Sequence, residues 1–400
     1  LLRTVFWILW LIGISACSTS PENPLYLESE EGIMPSVSSY EEYVQSTGTW
    51  LAQNRVFVTD DKTTELKANT PYALIPRKPN GKGVLLIHGL GDSPYSFVDI
   101  GRELANRGFL VHTVLLPGHG SKPGDMLHVK YKQWRYVVEE NIKLLQQDTS
   151  KVYLGGFSTG ANLATELAIE IPEIEGLVLF SPAFKSNVGL DRYAGVASVF
   201  KHWLYKPSEN ADPHTNYARY EVVPSNAFAQ FYKTSKNVRK EIEKHGYQKP
   251  TLMVMSEKDS VVDVNHVRTL FSEHFTHPSS RLIWYGSKQE EFADKRILQM
   301  PEGVPEFQVT NYSHMGLLFS PKNNHYGVEG DYRFCRNGQS ASGYQQCKTG
   351  GDIWYSAWGT RRQGKVHARL TFNPQFEHMI QTMAGVVGAI NPLDQAYISE

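Results

Sequence analysis

An α/β domain with a mostly parallel central sheet, interrupted by an inserted cap, is the fold class that this 400-residue sequence predicts. Three observations predict it. Apolar strand-like runs alternate with amphipathic helix-like stretches from about residue 83 onward. A Gly-x-Ser-x-Gly pentapeptide sits at one of those strand-to-helix junctions, and the alternation lapses between about 185 and 248 before it resumes. Apolar residues make up 41% of the chain and charged residues 20%, enough for one large core carrying an inserted subdomain.

Residues 83–88 are a short apolar run ending in a Gly-rich loop, 96–107 read as a helix and 109–116 as the next strand. Residues 131–147 place Trp134, Val137, Val138, Ile142 and Leu145 on one helical face. A buried strand over 152–157 runs straight into Ser158, followed by a helix over 161–171 that Pro172 ends and a strand over 176–180. Between 185 and 248, Tyr193, Phe200, Trp203, Tyr205, Tyr217, Phe228 and Phe231 are scattered among polar residues, which reads as a cap over a cleft. The pattern resumes with a strand over 251–255, a helix over 262–275 and strands over 281–285 and 306–310. A Gly- and Tyr-rich insertion at 321–364 holds two cysteines, and an amphipathic helix covers 374–390.

At the other end, Arg3 precedes an apolar run at 5–14 that is short for a membrane span, the order of an export signal. It closes in Ile14-Ser15-Ala16-Cys17, which resembles the bacterial lipobox, so residues 1–17 are expected to be a lipoprotein signal with Cys17 as the lipidated residue. Residues 18–40, rich in Ser, Pro and Glu, are expected to be a tether, and 41–400 the folded domain. Ser18 rather than Asp follows the cysteine; by resemblance to Gram-negative lipoproteins this implies a lipid-anchored protein of the bacterial cell envelope, at the outer membrane. In such a compartment Cys335 and Cys347 are expected to pair. A formal charge of −1 gives no electrostatic footprint for nucleic acid. Neither zinc-type ligand spacing nor a Walker-type loop occurs, so no metal and no organic cofactor are expected.

Gly156-Phe157-Ser158-Thr159-Gly160 has the strand-to-helix context of a nucleophile elbow. Gly156 and Gly160 allow close approach around a strained turn, and the helix N-terminus beside Ser158 favours an oxyanion. For an acid placed after the 251–255 strand, Glu257, Asp259 and Asp263 compete. The order Ser, acid, His then restricts the base to later histidines. His314 follows a predicted strand in Tyr312-Ser313-His314-Met315-Gly316; His266, His274 and His277 belong to a helix or its end, and His325, His367 and His378 to the insertion or the final helix.

Leu86-Ile87-His88-Gly89-Leu90-Gly91, Pro117-Gly118-His119-Gly120 and the elbow together resemble the bacterial carboxylesterase and monoacylglycerol lipase branch of the α/β-hydrolases, over about residues 83–317. The resemblance implies the α/β-hydrolase fold, with helices flanking the sheet. It also implies a serine hydrolase of carboxylic esters: Ser158 as nucleophile, His314 as general base, Asp259 as orienting acid. Asp259 is singled out because Asp259-Ser260-Val261-Val262 resembles the family's acid followed by a small apolar run. The backbone N–H groups of Leu90 and Thr159 would form the oxyanion hole, shaped by Gly89 and Gly91, with His88 and His119 ordering loops. The implied partners are a small acyl ester or lipid and, through Cys17, a membrane. Peptidases, thioesterases and acyltransferases use the same triad, and a non-catalytic envelope-anchored scaffold is the alternative of another class. The insertion at 321–364 has no counterpart in the resemblance.

Overall fold

The computed structural model describes residues 23–30, 32, 37–187, 202–203, 215–287 and 291–388. The lipobox with Cys17, and Tyr193, Phe200 and Tyr205 of the predicted cap, lie outside the described residues.

In chain order the structure gives α1 (Tyr40–Asn54), α2 (Lys62–Asn69), β1 (Ala73–Leu74), β2 (Lys82–Ile87), α3 (Val98–Asn106), β3 (Leu110–Val114), α4 (Tyr131–Asp148), β4 (Lys151–Phe157), α5 (Thr159–Glu170) and β5 (Ile174–Phe180). The stretch predicted as cap, 185–248, ends in a regular helix, α6 (Ser225–His245), whose Phe231, Val238 and Ile242 lie in the main core; then come β6 (Thr251–Ser256), α7 (Val264–His274), β7 (Arg281–Gly286), β8 (Ile297–Pro301), α8 (Ala341–Thr349), β9 (Ile353–Ser356), β10 (Val366–Arg369) and α9 (Phe376–Val387). The main sheet has eight strands in the order β1-β3-β2-β4-β5-β6-β7-β8, parallel throughout except for β1.

Alternate residues of each parallel strand face opposite layers. Leu85 and Ile87 of β2 join Trp134 and Val138 of α4, Leu163 of α5, Val238 of α6 and Phe271 of α7 in one core. Val84 and Leu86 face the other way, into a core with Ile100 and Leu104 of α3 and Met379 and Met383 of α9. The strands are therefore buried on both faces, and the helices lie where the sequence alternation puts them.

The edge at β3 is closed by two tyrosines. β1 pairs with only His112 and Val111. Beyond it the Tyr40 hydroxyl donates to Thr113 O at 2.7 Å and accepts from Thr113 N–H at 3.0 Å. The Tyr43 hydroxyl likewise accepts from Leu115 N–H at 3.0 Å. Helix α1 thus supplies side-chain partners where a longer edge strand would supply backbone ones. Within the stretch expected to be a tether, residues 23–30 pack on the body: Ser29 N–H and Oγ both donate to Asp125, at 2.6 and 3.0 Å.

One predicted strand is corrected. Residues 306–310 carry a 3-10 turn, Pro305–Phe307, followed by Gln308 at φ 53°. Pro305 fixes its own φ and removes a donor, so the chain pinches into the Val304–Val309 bridge instead of extending. The strand next to β7 is β8, whose residues are only partly buried and so lack an apolar run. The 321–364 stretch also holds α8 and β9, the latter paired in parallel with β10, and Cys335 and Cys347 are joined by a disulfide.

His112 is buried in β3 with its ring stacked on Tyr40, centroids 3.5 Å apart. Burial pushes its pKa down to about 4. Because the unfolded chain takes up this proton near pH 6.5, the folded state binds fewer protons between roughly pH 6.5 and 4, and stability falls as pH drops through that window. His112→Phe keeps a ring on Tyr40 and removes this term. Between pH 7 and pH 5, urea unfolding should show wild type losing on the order of 1–2 kcal/mol more than the variant.

Candidate active site

Strand β4 ends at Phe157, α5 begins at Thr159, and Ser158 alone makes the turn between them, at φ 54° and ψ −114°. That left-handed backbone is strained for a residue with a Cβ. It is held by Ser158 N–H donating to Phe180 O at 3.0 Å and by Ala161 N–H donating to Ser158 O at 3.1 Å. A Cβ on Gly160 would stand 2.0 Å from Ile87 O, and one on Gly156 would stand 2.5 Å from Ala161 N. Both positions therefore require glycine, because backbone occupies the space a side chain would need.

The structure brings Ser158, His314 and Asp259 into one hydrogen-bonded row. His314 Nε2 lies 3.0 Å from Ser158 Oγ, and His314 Nδ1 lies 2.6 Å from Asp259 Oδ2. With the carboxylate accepting from Nδ1–H, Nε2 presents its lone pair to the serine hydroxyl. The Asp259 side chain is fully buried, and its other oxygen accepts from Val261 N–H at 2.8 Å and Val262 N–H at 3.1 Å. The two competing carboxylates are engaged elsewhere. Glu257 accepts from Ser287 N–H at 2.7 Å; Asp263 caps α7 and pairs with Lys185 at 2.9 Å. His325 is bound to Asp331 and Asn216, and His367 lies 3.3 Å from Thr310 Oγ1.

Serines on neighbouring strand ends fix the histidine loop. Ser181 Oγ donates to His314 O at 2.8 Å and Ser256 Oγ to Tyr312 O at 2.7 Å. Ser181 itself sits at φ 41°, its N–H donating to Val254 O at 2.9 Å. It was not found in the sequence, where a serine after a strand has no distinguishing neighbour.

The contact at Gly160 seats the start of α5 on the carbonyls of Ile87 and His88, two residues before Leu90. Thr159 is the first residue of its helix, so its N–H has no intrahelical acceptor. Neither its amide nor that of Leu90 donates to another protein group among the described residues. Gly91 adopts φ +77°, and a Cβ on Gly89 would stand 2.7 Å from Asp92 Oδ2. His88 is buried: its Nε2 accepts from Leu116 N–H at 3.1 Å, leaving Nδ1–H to donate to Gly89 O at 2.8 Å. Burial holds its pKa well below the ordinary histidine value. His119 is likewise buried and held neutral, with its pKa down at about 4.

Residues 216–221, within the predicted cap, lie over this loop as a strap. Tyr220 N–H donates to Gly91 O at 2.6 Å, and Ser93 Oγ donates to Ala218 O at 2.7 Å. The strap carries Arg219, whose Nε is 3.4 Å from Asp92 Oδ1. Burial pushes the Asp92 carboxyl above its ordinary range, against the pull of Arg219 and His314. This pair also escaped the sequence reading, because its members are more than a hundred residues apart. Beside it, Tyr95, Phe157, Met315, Leu318, Phe319 and Tyr326, with Asp92 and Ser96, line a cleft too narrow to admit water, and the Phe157 ring lies 5.0 Å from that of His314.

Comparison with known proteins finds similarity over the middle of the chain. The family described as serine aminopeptidase, S33, matches residues 78–287. A thermostable monoacylglycerol lipase from Bacillus sp. (strain H-257) is 25% identical over 189 residues, which cover 47% of this chain and 75% of the lipase. Among solved structures, a metagenome-derived lipolytic enzyme is 21% identical, with a TM-score of 0.47 over 54% of this chain and 86% of that one. The monoacylglycerol lipase of Paleococcus ferrophilus is 22% identical, with a TM-score of 0.44 over 54% and 88%.

Replacing Arg219 by Met should strand a buried carboxyl. Urea unfolding is expected to show a loss of about 3 kcal/mol, of which adding Asp92→Asn restores at least half. Simple additivity of the two substitutions would mean that the pair is not coupled.

Proposed function

The chain belongs to the serine aminopeptidase S33 family of α/β-hydrolases, and from that premise we propose that it hydrolyses carboxylic esters, of the carboxylesterase and monoacylglycerol lipase kind, through an acyl-enzyme on Ser158. The observation that carries this reading is the row from Ser158 Oγ through His314 to Asp259, with links of 3.0 and 2.6 Å.

In the proposed cycle His314 Nε2 takes the Ser158 proton as Oγ attacks the acyl carbonyl. Asp259 holds the imidazole tautomer and stabilises the imidazolium. Negative charge on the carbonyl oxygen is met by the amides of Leu90 and Thr159, each such donor being worth roughly 10²–10³ in turnover. His314 then gives its proton to the departing alcohol. Water, deprotonated by the same nitrogen, releases the acid and restores Ser158.

One observation favours an ester over a peptide with a free amino terminus. A peptidase that selects amino termini needs an unpaired carboxylate to meet the ammonium, and among the described residues Asp92, a buried carboxylate close enough to feel His314, is turned to Arg219. The similarity to a monoacylglycerol lipase supports the same choice. This reading places the enzyme at the bacterial cell envelope, held at the outer membrane by a lipid on Cys17; the order Arg3, apolar run, Cys17 supports it.

Purified protein should turn over acyl p-nitrophenyl esters, and Ser158→Ala should lower the rate about 10⁴–10⁶-fold and abolish fluorophosphonate labelling. Activity confined to aminoacyl anilides would overturn the ester reading, and labelling retained in Ser158→Ala would overturn the nucleophile. Expressed in a Gram-negative host, wild type should incorporate labelled palmitate and Cys17→Ser should not; equal incorporation would remove the anchor.

A further inference from the structure

Charge is strongly segregated along this nearly neutral chain. Residues 333–369 hold seven Lys and Arg against a single acidic residue, Asp352, whereas the rest of the chain holds 33 against 40. Among the described residues Arg333, Lys348, Arg361, Arg362, Lys365 and Arg369 form no ion pair with any carboxylate. Several donate to backbone carbonyls instead. Arg361 Nη2 reaches Gly338 O at 2.9 Å, Arg369 Nη2 reaches Arg336 O at 2.9 Å and Arg333 Nη1 reaches Cys347 O at 3.4 Å. Such bonds orient a guanidinium and leave its charge uncompensated.

An indole stands in the middle of this charge. Trp358 is 55% exposed, and it sits on Gly338, where an added Cβ would meet the ring at 3.3 Å. It belongs to the loop between β9 and β10 that also carries Arg361, Arg362 and Lys365, and Lys365 Nζ lies 2.9 Å from the centroid of the Trp354 ring. The Cys335–Cys347 disulfide and the β9–β10 pairing hold this loop in place. On its other side the insertion leans on the strap over the cleft. The Tyr332 hydroxyl donates to Glu221 at 3.3 Å and the Tyr326 hydroxyl to Asn216 at 2.8 Å.

We propose that this basic, tryptophan-tipped face of the disulfide-pinned insertion docks on an anionic lipid surface, beside the roof of the cleft. Charge complementarity argues for an anionic partner, each Lys or Arg near such a surface strengthening binding about fivefold. The exposed indole, whose amphipathic ring fits the headgroup region, argues for lipid over a soluble polyanion. Among the described residues no helix is long and apolar enough to cross a membrane, so the contact is peripheral. The proposal does not depend on which bond the enzyme cleaves.

The test is co-sedimentation of the full chain, carrying Cys17→Ser so that no lipid on that residue contributes, with phosphatidylglycerol or phosphatidylcholine vesicles. The expected result is a preference for phosphatidylglycerol that falls about 100-fold in Arg361→Gln/Arg362→Gln/Lys365→Gln. Trp358→Ala should weaken binding severalfold, with unchanged thermal melting in both variants. Equal binding to the two vesicle types, or a preference that survives the triple substitution, would overturn the proposal. So would a patch that binds heparin as tightly as vesicles and is indifferent to Trp358→Ala, which would assign it to a soluble polyanion.

Discussion

The site depends on one close approach. The first turn of α5 lies against the carbonyls that end β2, so near that a single Cβ at position 160 would overlap Ile87 O. This contact sets the sharp turn at Ser158, and the strain at φ 54° is its consequence. The concession is steric, and the wider fold sustains it: β4 and β2 are paired along six residues, from Lys82 to Ile87, so the junction cannot relax by sliding one strand.

Two buried carboxylates stand near His314, and their partners give them opposite parts. Asp259 accepts two backbone N–H bonds at one oxygen and the imidazole N–H at the other, an arrangement that fixes the ring. Asp92 faces Arg219 across a longer gap and is pushed toward the neutral form by burial. The first is bonded to the histidine loop and the second is paired with the strap, so the chemistry and the roof above it are anchored by separate charges. Ser181 and Ser256 add neutral hydrogen bonds to the backbone of the histidine loop, which hold His314 in place without placing further charge beside it.

The strand-helix alternation made the sheet legible from residue 83 to 286, because strands buried on both faces must be apolar and the helices between them must be amphipathic. The elbow was legible for a related reason: glycines at 156 and 160 are the local trace of a tertiary contact. β8 was hidden because an edge strand with partly buried residues has no apolar signature, and Pro305 and Gln308 broke the strand predicted near it. Among the three acids, the residues alone left Glu257, Asp259 and Asp263 open. What separates them is the direction of each carboxylate, which depends on packing that sequence spacing does not encode. Asp92, Arg219 and Ser181 act through partners distant along the chain, and no local pattern marks such residues.

The strap shows this dependence most fully. Arg55 at the end of α1 forms a buried pair with Glu65 at 2.7 Å and donates to Tyr217 O at 2.9 Å. Asn69 at the end of α2 donates to the same carbonyl at 2.8 Å. From the opposite side the insertion contributes His325, which meets Asn216 Oδ1 at 3.2 Å. From below, Gly91 O accepts from Tyr220 N–H. Four separately encoded segments, three of them outside the range of the family match, therefore fix the roof of the cleft. A strap held in this way can carry an irregular, polar sequence, since its position is set by side chains elsewhere in the chain. That is the physical reason residues 216–221 read as part of an interruption although their backbone is tied from several sides.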